Sequence, residues 1–432
     1  MKLLKISFTP PIVAISAMFL VLTGSVRAEI PTTLEPGTAY VVNCETGKAP
    51  AKIYVENASL TLENHAWLEC TDMRSASGTN FTLHLTGESV MTNYINIAPG
   101  NYAHVVVDEG SVLWWKNANT PCSAAGNRFN VFAFTNATFF MSGNTSLYGH
   151  DNTLLMHNTT VLGGQTLQIG GKDNVCAISG TSTFPSGKTL AVFNGTNTWV
   201  RIADNTLLKV NNGGKIQSYT DGTNGFYVGK NAYLYFGSSG IYSANTARHG
   251  RIIVDEGGEL SVANGDGGGI LGIDYQWITT NGTFSCSNNM VRVGDKLTDV
   301  DCRLVLVGDK AKFYVKNFSI GNASSNGTLT VVLRPGPTGY NGAAPIWSTA
   351  GGSINGGVFD IDMREAMQQV EPGEVYRLPV ARTWSAMTLT VATLEKLNLT
   401  AKLLPEDAQL VKDGNILYCV ARRQKGLMIL VR

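Results

Sequence analysis

The sequence predicts an all-β fold, a single-stranded parallel β-helix (β-solenoid) that ends in an antiparallel β cap. Short alternating apolar runs recur with turn-forming residues between them, and no capped pattern of helical period interrupts residues 53–333. The clearest copy is RIIVDEGGELSV (251–262), in which a Glu-Gly-Gly corner joins two runs. We expect Ile253, Leu260 and Val262 of this copy to face the core.

Repetition of this unit favours stacked coils. Two short strands cannot bury an apolar face by themselves, so each copy must pack against its neighbours. Successive corners lie about 20 to 30 residues apart, which is shorter than the roughly 40-residue blades of a β-propeller, the alternative architecture. With weaker copies included, we expect roughly ten or eleven coils. The aligned copies are IYVENASLTL (53–62), VVVDEGSVLWW (105–115), FAFTNATFFM (132–141), LLMHNTTVL (154–162), LLKVNNGGKI (207–216), YVGKNAYLYF (227–236), RIIVDEGGEL (251–260), ITTNGTFSC (278–286) and VLVGDKAKF (305–313).

Four segments divide the chain. Residues 1–28 form a signal peptide, 29–335 the β-solenoid, 336–357 a Gly/Pro-rich linker and 358–432 a β-rich capping region. The last of these includes a possible short helix and the dipeptide Asp413-Gly414, which favours a hairpin turn between alternating runs. A cap is the expected device at this end because it hides the open edge of the last coil.

The first 28 residues are typical of an export signal. Lys2 and Lys5 precede an apolar run, Ile12 to Leu22, and small residues lead to a cleavage site after Ala28. That run is shorter than the roughly 20 residues that span a bilayer, so we favour cleavage over an anchor. The mature chain is therefore expected to be exported, with no membrane span, to the extracellular space, the cell surface or the periplasm.

The low charge of the chain narrows the classes of molecule that it could bind. The formal net charge is +1 and charged residues make up 15%, which argues against nucleic acid as a partner.

Seven cysteines in an exported chain permit disulfides. By spacing, the possible pairs are Cys44 with Cys70 and Cys286 with Cys302. The alternative is that most of the cysteines are small buried apolar residues.

The copies VVVDEGSVLWW, LLKVNNGGKI and RIIVDEGGELSV, with the closing stretches VFDIDM, LVKDGNILYCV and KGLMILVR, carry a family resemblance. The chain resembles secreted bacterial parallel β-helix proteins of the autotransporter-passenger and autotransporter-associated β-strand repeat type. This resemblance extends from about residue 50 to the end. It implies an extracellular or cell-envelope role in adhesion or matrix structure.

Acidic residues supply one candidate site. Asp274 lies about one coil before Asp299 and Asp301, so the three carboxylates could stack and bind Ca²⁺ through oxygen ligands. A polysaccharide lyase would need such a cation together with a base. The alternative, which we favour, is that these aspartates cap turns. We therefore expect no catalytic residues, no metal and no cofactor.

Aromatic residues supply the better binding hypothesis. Trp114 and Trp115 are adjacent in one strand, so one must point outward if the other points inward. Tyr233 and Tyr235 occupy alternate positions of another strand. Outward rings could stack on sugar rings, whereas an inward aromatic stack is the simpler explanation.

The sequence thus predicts an exported, non-enzymatic β-solenoid that presents an extended surface for adhesion or for envelope or matrix structure. Its partner would be an extracellular glycan or a host or envelope protein. The alternative function is that of a β-helix that binds or degrades polysaccharide, as a lyase or a hydrolase.

Overall fold

A computed structural model describes residues 27–28, 30–44, 46–48, 52–55, 57–74, 80–98, 100–115, 127–164, 166–184, 188–217, 223–237, 240–243, 250–263, 275–293, 302–321, 329–385, 387–388 and 408–423. Within these ranges the chain is all-β and winds into a parallel β-solenoid with antiparallel strands at its C-terminal end. The helices of the described ranges are a four-residue α-helix, Arg364–Met367, and a 3₁₀ turn, Tyr340–Gly342. Neither could cross a membrane.

The strands follow one another in short steps through the first half of the chain. They are β1 (Arg27–Ala28), β2 (Thr33–Leu34), β3 (Ala39–Asn43), β4 (Thr46–Lys48), β5 (Ile53–Val55), β6 (Ser59–Glu63), β7 (Trp67–Arg74), β8 (Thr82–Leu85), β9 (Val90–Ala98), β10 (His104–Val107), β11 (Val112–Trp115), β12 (Val131–Thr135), β13 (Thr138–Met141), β14 (Thr145–Leu147), β15 (Thr153–His157), β16 (Thr160–Gly163), β17 (Thr166–Lys172), β18 (Val175–Ser179), β19 (Thr183–Phe184) and β20 (Thr189–Thr196).

The second half continues the pattern and adds longer strands near the end. These are β21 (Thr198–Ile202), β22 (Leu207–Val210), β23 (Gly213–Gln217), β24 (Asn224–Val228), β25 (Tyr233–Phe236), β26 (Gly240–Ser243), β27 (Gly250–Val254), β28 (Glu259–Val262), β29 (Tyr275–Thr280), β30 (Thr283–Val293), β31 (Cys302–Val307), β32 (Lys312–Ile320), β33 (Leu329–Arg334), β34 (Ile346–Ser348), β35 (Gly352–Ile354), β36 (Val358–Ile361), β37 (Val375–Thr383), β38 (Met387–Thr388), β39 (Gln409–Asp413) and β40 (Ile416–Arg422).

Three sheets run along the solenoid. The long face is a ladder of 14 parallel strands, which are β3, β6, β8, β10, β12, β15, β18, β21, β24, β27, β29, β31, β33 and β36. The composite face is a 21-stranded sheet that takes most of the strands that follow each corner, and the short face joins β14, β17, β20, β23 and β26. Partners on neighbouring strands of the long face are about 20 to 28 residues apart, from Ala39 with Ser59 to Thr330 with Val358.

Alternation decides which side chains form the core. In β31, Cys302, Leu304 and Leu306 are buried while the residues between them are not. Because successive side chains of a strand point to opposite faces, each strand sends every second residue inward, onto the equivalent residues of the coils above and below. The predicted fold class is confirmed.

The copy RIIVDEGGELSV places its apolar residues slightly differently from the prediction. Leu260 and Val262 are buried as expected, but Ile252 and Val254 are buried in place of Ile253. Ile253 lies on the outer side because the pairing of β27 with β24 and β29 aligns Ile252 and Val254 with buried residues of both neighbouring strands. Gly257 at the corner has a φ of 67°, in the left-handed region that glycine adopts without strain.

The ladder continues beyond residue 335, where the sequence suggested a linker. Strands β34 and β35 pair in parallel with β32, and β36 pairs with β33. The long face therefore has more rungs than the ten or eleven expected coils, because β3, β33 and β36 join it. The predicted linker of residues 336–357 is a further coil with a loop, residues 336–345, before β34.

The cap is joined directly to this last coil. Strand β37 pairs in parallel with β34 on one side and antiparallel with β40 on the other. Strands β39 and β40 form the hairpin predicted at Asp413-Gly414, and Gly414 has a φ of 59°. The open edge of the composite face is thus covered by an antiparallel pair, as the sequence suggested.

Candidate ligand groove

One outward column on the composite face brings aromatic, hydroxyl and cationic side chains into register. Each member pairs with the next on the neighbouring coil, so their side chains lie side by side at the strand spacing of about 4.8 Å. We call this set the outer column; its members are Tyr235, Ser261, Ser285, Tyr314, Trp347 and Arg382.

The C-terminal end of the outer column is an aromatic and cationic cluster. The indole of Trp347 is 40% exposed, and its centroid lies 5.1 Å from that of the Tyr314 ring in an edge-to-face arrangement. The guanidinium carbon of Arg382 lies 5.9 Å from the Trp347 ring centroid, within the range of a cation–π contact. Each neighbour thus touches part of the indole and leaves the rest open to solvent.

The loop of residues 336–345 rises beside this cluster as a wall. The Asp309 carboxylate holds it, accepting the backbone N–H groups of Thr338 at 3.2 Å and Tyr340 at 3.1 Å. The Tyr340 side chain is buried and donates its hydroxyl hydrogen to the Leu306 carbonyl at 2.8 Å, and burial raises its pKa. The wall is therefore fixed at both a backbone and a side-chain anchor.

A groove of about 600 Å³ lies between the loop and the outer column. Its floor contains the hydroxyl of Ser285, whose oxygen lies 3.1 Å from a carboxylate oxygen of Glu259 and 2.9 Å from the hydroxyl oxygen of Ser261, so it donates to one of them and can accept from Ser261. The ammonium group of Lys312 lines the same groove and has no ion-pair partner within the described ranges. The groove therefore offers the hydroxyls of its floor with the Glu259 carboxylate, the Asp309 carboxylate at its wall, and a cation with aromatic rings.

A second hollow of about 360 Å³ shares Trp347 and lies toward the cap. Its Arg377 guanidinium pairs with Asp413 at 2.9 Å and lies 4.4 Å from the Tyr418 ring centroid. Burial, followed by the charge of Asp309, raises the pKa of Tyr376 in the same hollow. Arg382 lines this hollow too, and in the part of the chain that the structure describes it makes no ion pair.

The aromatic residues singled out from the sequence lie in two places. Trp115 is buried, whereas Trp114 is half-buried on the outer side with its ring centroid 4.7 Å from that of Phe140. Tyr233 and Tyr235 are both half-buried on the outer side of β25. Tyr235 belongs to the outer column, so the sequence identified one end of that column and a separate aromatic pair.

The cysteines predicted to pair lie in unlike surroundings. Cys44 is an exposed free thiol at a corner, with a φ of 53°, while Cys70 is buried and its sulfur lies 3.4 Å from the Asp72 carbonyl oxygen. Cys286 and Cys302 are both buried, on the composite face and the long face respectively. Both pairings remain predictions.

The predicted acidic cluster cannot be placed. Asp274, Asp299 and Asp301 lie outside the described residues, so the structure tests neither the Ca²⁺ site nor the favoured alternative of turn-capping aspartates. Across the ranges that are described, no group of three or more His, Cys, Asp or Glu side chains is arranged to hold a metal ion.

Trp347, Lys312 and Arg382 were not identified from the sequence. Trp347 lies in the stretch interpreted as a linker, and its outward direction follows only from its pairing with Tyr314. In the run Pro-Ile-Trp-Ser at 345–348 both neighbours of Trp347 are buried, but one of them is the polar Ser348, so the sequence shows no apolar alternation there.

Comparisons with known proteins give no family for this chain. No protein-family model matches it, and no curated protein matches it.

Proposed function

We propose that this protein is a non-enzymatic β-solenoid of the extracellular space or cell envelope, which presents a rigid, extended surface for adhesion or matrix structure. The observation that carries the proposal is the long face, in which 14 parallel strands stack in one continuous ladder. At about 4.8 Å per rung such a ladder extends roughly 60 Å. A surface of this length can hold many side chains at fixed spacing.

The way in which the surface is fixed supports a scaffold. Backbone hydrogen bonds along the ladder join neighbouring coils, and buried asparagines add a second set of bonds between coils in the interior. Solenoids of this kind are stabilised by contacts between neighbouring repeats, and their extended surfaces serve as binding platforms in many proteins. The resemblance to autotransporter-passenger repeats supports the same assignment.

Polysaccharide binding is the second candidate, and the groove beside Trp347 favours it. An exposed indole, a hydroxyl-lined floor and nearby cations are groups that recognise sugar rings and their substituents. Degradation of polysaccharide has no comparable support, since the aspartates that suggested it lie outside the described residues.

Adhesion can be tested with the purified full chain coupled to beads. Retention of the beads is measured on a glycan array and on surfaces coated with extracellular matrix proteins. The proposal predicts saturable retention on at least one surface, which is lost when the coupled protein is heat-denatured. Retention on none of them, or equal retention of the denatured chain, would contradict it.

A further inference from the structure

We infer that the groove beside the outer column and the hollow that adjoins it at Trp347 together bind an acidic polysaccharide, with a carboxylated sugar ring lying against Trp347 and its carboxylate facing Arg382 in the hollow. The inference rests on the proposed function only in placing the groove where such a chain is met, outside the cell. It adds a ligand class and the residues that recognise it.

The indole supplies the surface on which a sugar ring can lie. Trp347 is exposed, yet Tyr314 packs against it edge-to-face at 5.1 Å, which holds the indole in one orientation. A rigid aromatic ring loses little conformational freedom when a ligand covers it, so the contact is made at low entropic cost. The C–H faces of pyranose rings carry partial positive charge that suits an aromatic face.

Two cations favour an acidic ligand over a neutral one, since the Asp309 carboxylate at the groove wall is already engaged by backbone N–H groups of the loop. Arg382 lies 5.9 Å from the Trp347 ring centroid, and Lys312 stands two residues before Tyr314 on the same strand. Neither side chain has a carboxylate partner within the described residues, whereas Arg377 nearby is paired with Asp413. A guanidinium beside a stacking ring, with its donors unpaired, is suited to a bidentate contact with a carboxylate.

The direction of the outer column sets the direction in which the polysaccharide lies. Ser261, Ser285 and Tyr314 occupy successive coils, so hydroxyl groups recur along the solenoid axis at about 4.8 Å, and the indole of Trp347 follows on the next coil. That spacing is close to the length of one sugar unit. A polysaccharide that lies along the axis would meet one side chain of the column with each residue, and Glu259 would accept hydrogen bonds from sugar hydroxyls.

The chain contains a matched control for this cluster. On the long face, the guanidinium carbon of Arg201 lies 5.9 Å from the ring centroid of Trp199, the same separation as in the groove. The Trp199 indole donates to the Asn197 side chain at 3.1 Å and lines neither the groove nor the hollow. The two pairs share their chemistry and differ in the wall and the column.

The test measures binding of oligogalacturonates, and of the same oligosaccharides with their carboxylates methyl-esterified, by titration calorimetry and tryptophan fluorescence. We expect the wild-type chain to prefer the acidic form. Trp347→Ala should weaken binding of both forms, and Arg382→Gln should weaken the acidic form roughly 10- to 100-fold, the equivalent of one charge-assisted hydrogen bond. Trp199→Ala should leave both affinities unchanged. Circular dichroism and urea midpoints confirm that each variant folds.

Three outcomes would overturn the inference: equal affinity for the two forms, equal losses in Trp199→Ala and Trp347→Ala, or no binding by the wild-type chain. If the wild-type chain binds neither form but its beads are still retained on other surfaces, the groove inference fails while the proposed function stands. If binding occurs as inferred but no surface retains the beads, the proposed function fails instead.

Discussion

The side-chain oxygen of Asn152 lies 3.0 Å from the backbone nitrogen of Asn130 and 3.0 Å from its side-chain nitrogen, one coil away. Asn152 in turn donates its own backbone N–H to the side-chain oxygen of Asn174 at 2.7 Å. All three side chains are fully buried just before strands of the long face. Each asparagine thus satisfies polar groups of the neighbouring coil where water cannot reach them.

Removal of one member should destabilise the solenoid strongly. In Asn152→Ala the buried N–H of Asn130 loses its acceptor, and the Tyr148 carbonyl loses a donor at 2.7 Å. Unsatisfied buried groups of this kind cost about 1–3 kcal/mol each, so we expect a loss of about 2–4 kcal/mol in the free energy of unfolding. Urea denaturation followed by circular dichroism measures it.

A corner asparagine is the control. Asn136 is exposed with a φ of 49°, a backbone conformation that glycine also adopts. Asn136→Gly should therefore change the free energy of unfolding by less than about 1 kcal/mol. Similar losses in the two variants would show that the buried Asn152 side chain contributes no more to the free energy of unfolding than an exposed corner asparagine.

The groove wall should depend on one carboxylate. Asp309→Ala removes the acceptor of the Thr338 and Tyr340 backbone N–H groups, so the loop of residues 336–345 loses its backbone anchor. We expect faster hydrogen exchange in this loop, measured by mass spectrometry, with little change in the N-terminal coils. Asp204→Ala is the control, since its side chain accepts the Lys230 backbone N–H at 2.8 Å on a distant corner. Unaltered exchange in the loop of Asp309→Ala would refute the anchoring role.

Thiol reactivity should separate corner from core cysteines. Burial raises the pKa of the Cys419 thiol to about 12 and raises that of Cys176 as well, so neither forms the reactive thiolate near neutral pH. Alkylation of the native chain, mapped by peptide mass, should modify Cys44 and spare both. Modification of Cys176 without unfolding would contradict the buried placement. If Cys44 reacts only after reduction, the predicted disulfide with Cys70 gains support.

The long face should show a pH dependence that involves Tyr227 and Asp255. Burial, then the hydrogen bond to Asp255 at 2.8 Å and the nearby carboxylate charges, raise the pKa of Tyr227 to about 12, from 10. Because the pKa of Tyr227 is higher in the folded state, its contribution to stability is present in full below pH 10. This contribution is lost as the pH rises to about 12. The wild-type urea midpoint should therefore fall more steeply between these pH values than that of Tyr227→Phe.

At acidic pH the contribution of Asp255 to stability should become visible. The Glu256 backbone N–H and then the Tyr227 hydroxyl lower the pKa of Asp255 below its ordinary 3.8. Its contribution to stability is present above that value and is lost as the pH falls through the lowered pKa. Tyr227→Phe should make this loss smaller, whereas Tyr233→Phe, on the composite face, should match the wild type. Identical pH profiles for all three proteins would exclude the coupling.

Period-two alternation was enough to predict the parallel ladder, because burial of every second residue in stacked coils makes apolar and polar residues alternate in the sequence. It was not enough to place Ile253, since a run of three apolar residues, Ile252 to Val254, fits either phase. The phase is set by the pairing of β27 with β24 and β29, which no single copy contains.

The groove was beyond the sequence for a similar reason. Its column joins residues of coils that differ in length, and the loop before β34 separates Tyr314 from Trp347. The buried asparagines were not identified from the sequence, although Asn130, Asn152 and Asn174 recur at equal intervals directly before a strand. That regular spacing was a usable signal for an internal ladder.

Binding of polysaccharide at the surface without cleavage can be measured by the length of a polysaccharide before and after contact with the protein. Polygalacturonate is incubated with the full chain, with and without Ca²⁺, and its size distribution is followed by gel filtration together with the appearance of new chain ends. We expect the protein to form a complex with the polysaccharide. The polysaccharide recovered from that complex should have its original size distribution. Progressive shortening of the polysaccharide, in proportion to the amount of protein, would contradict it.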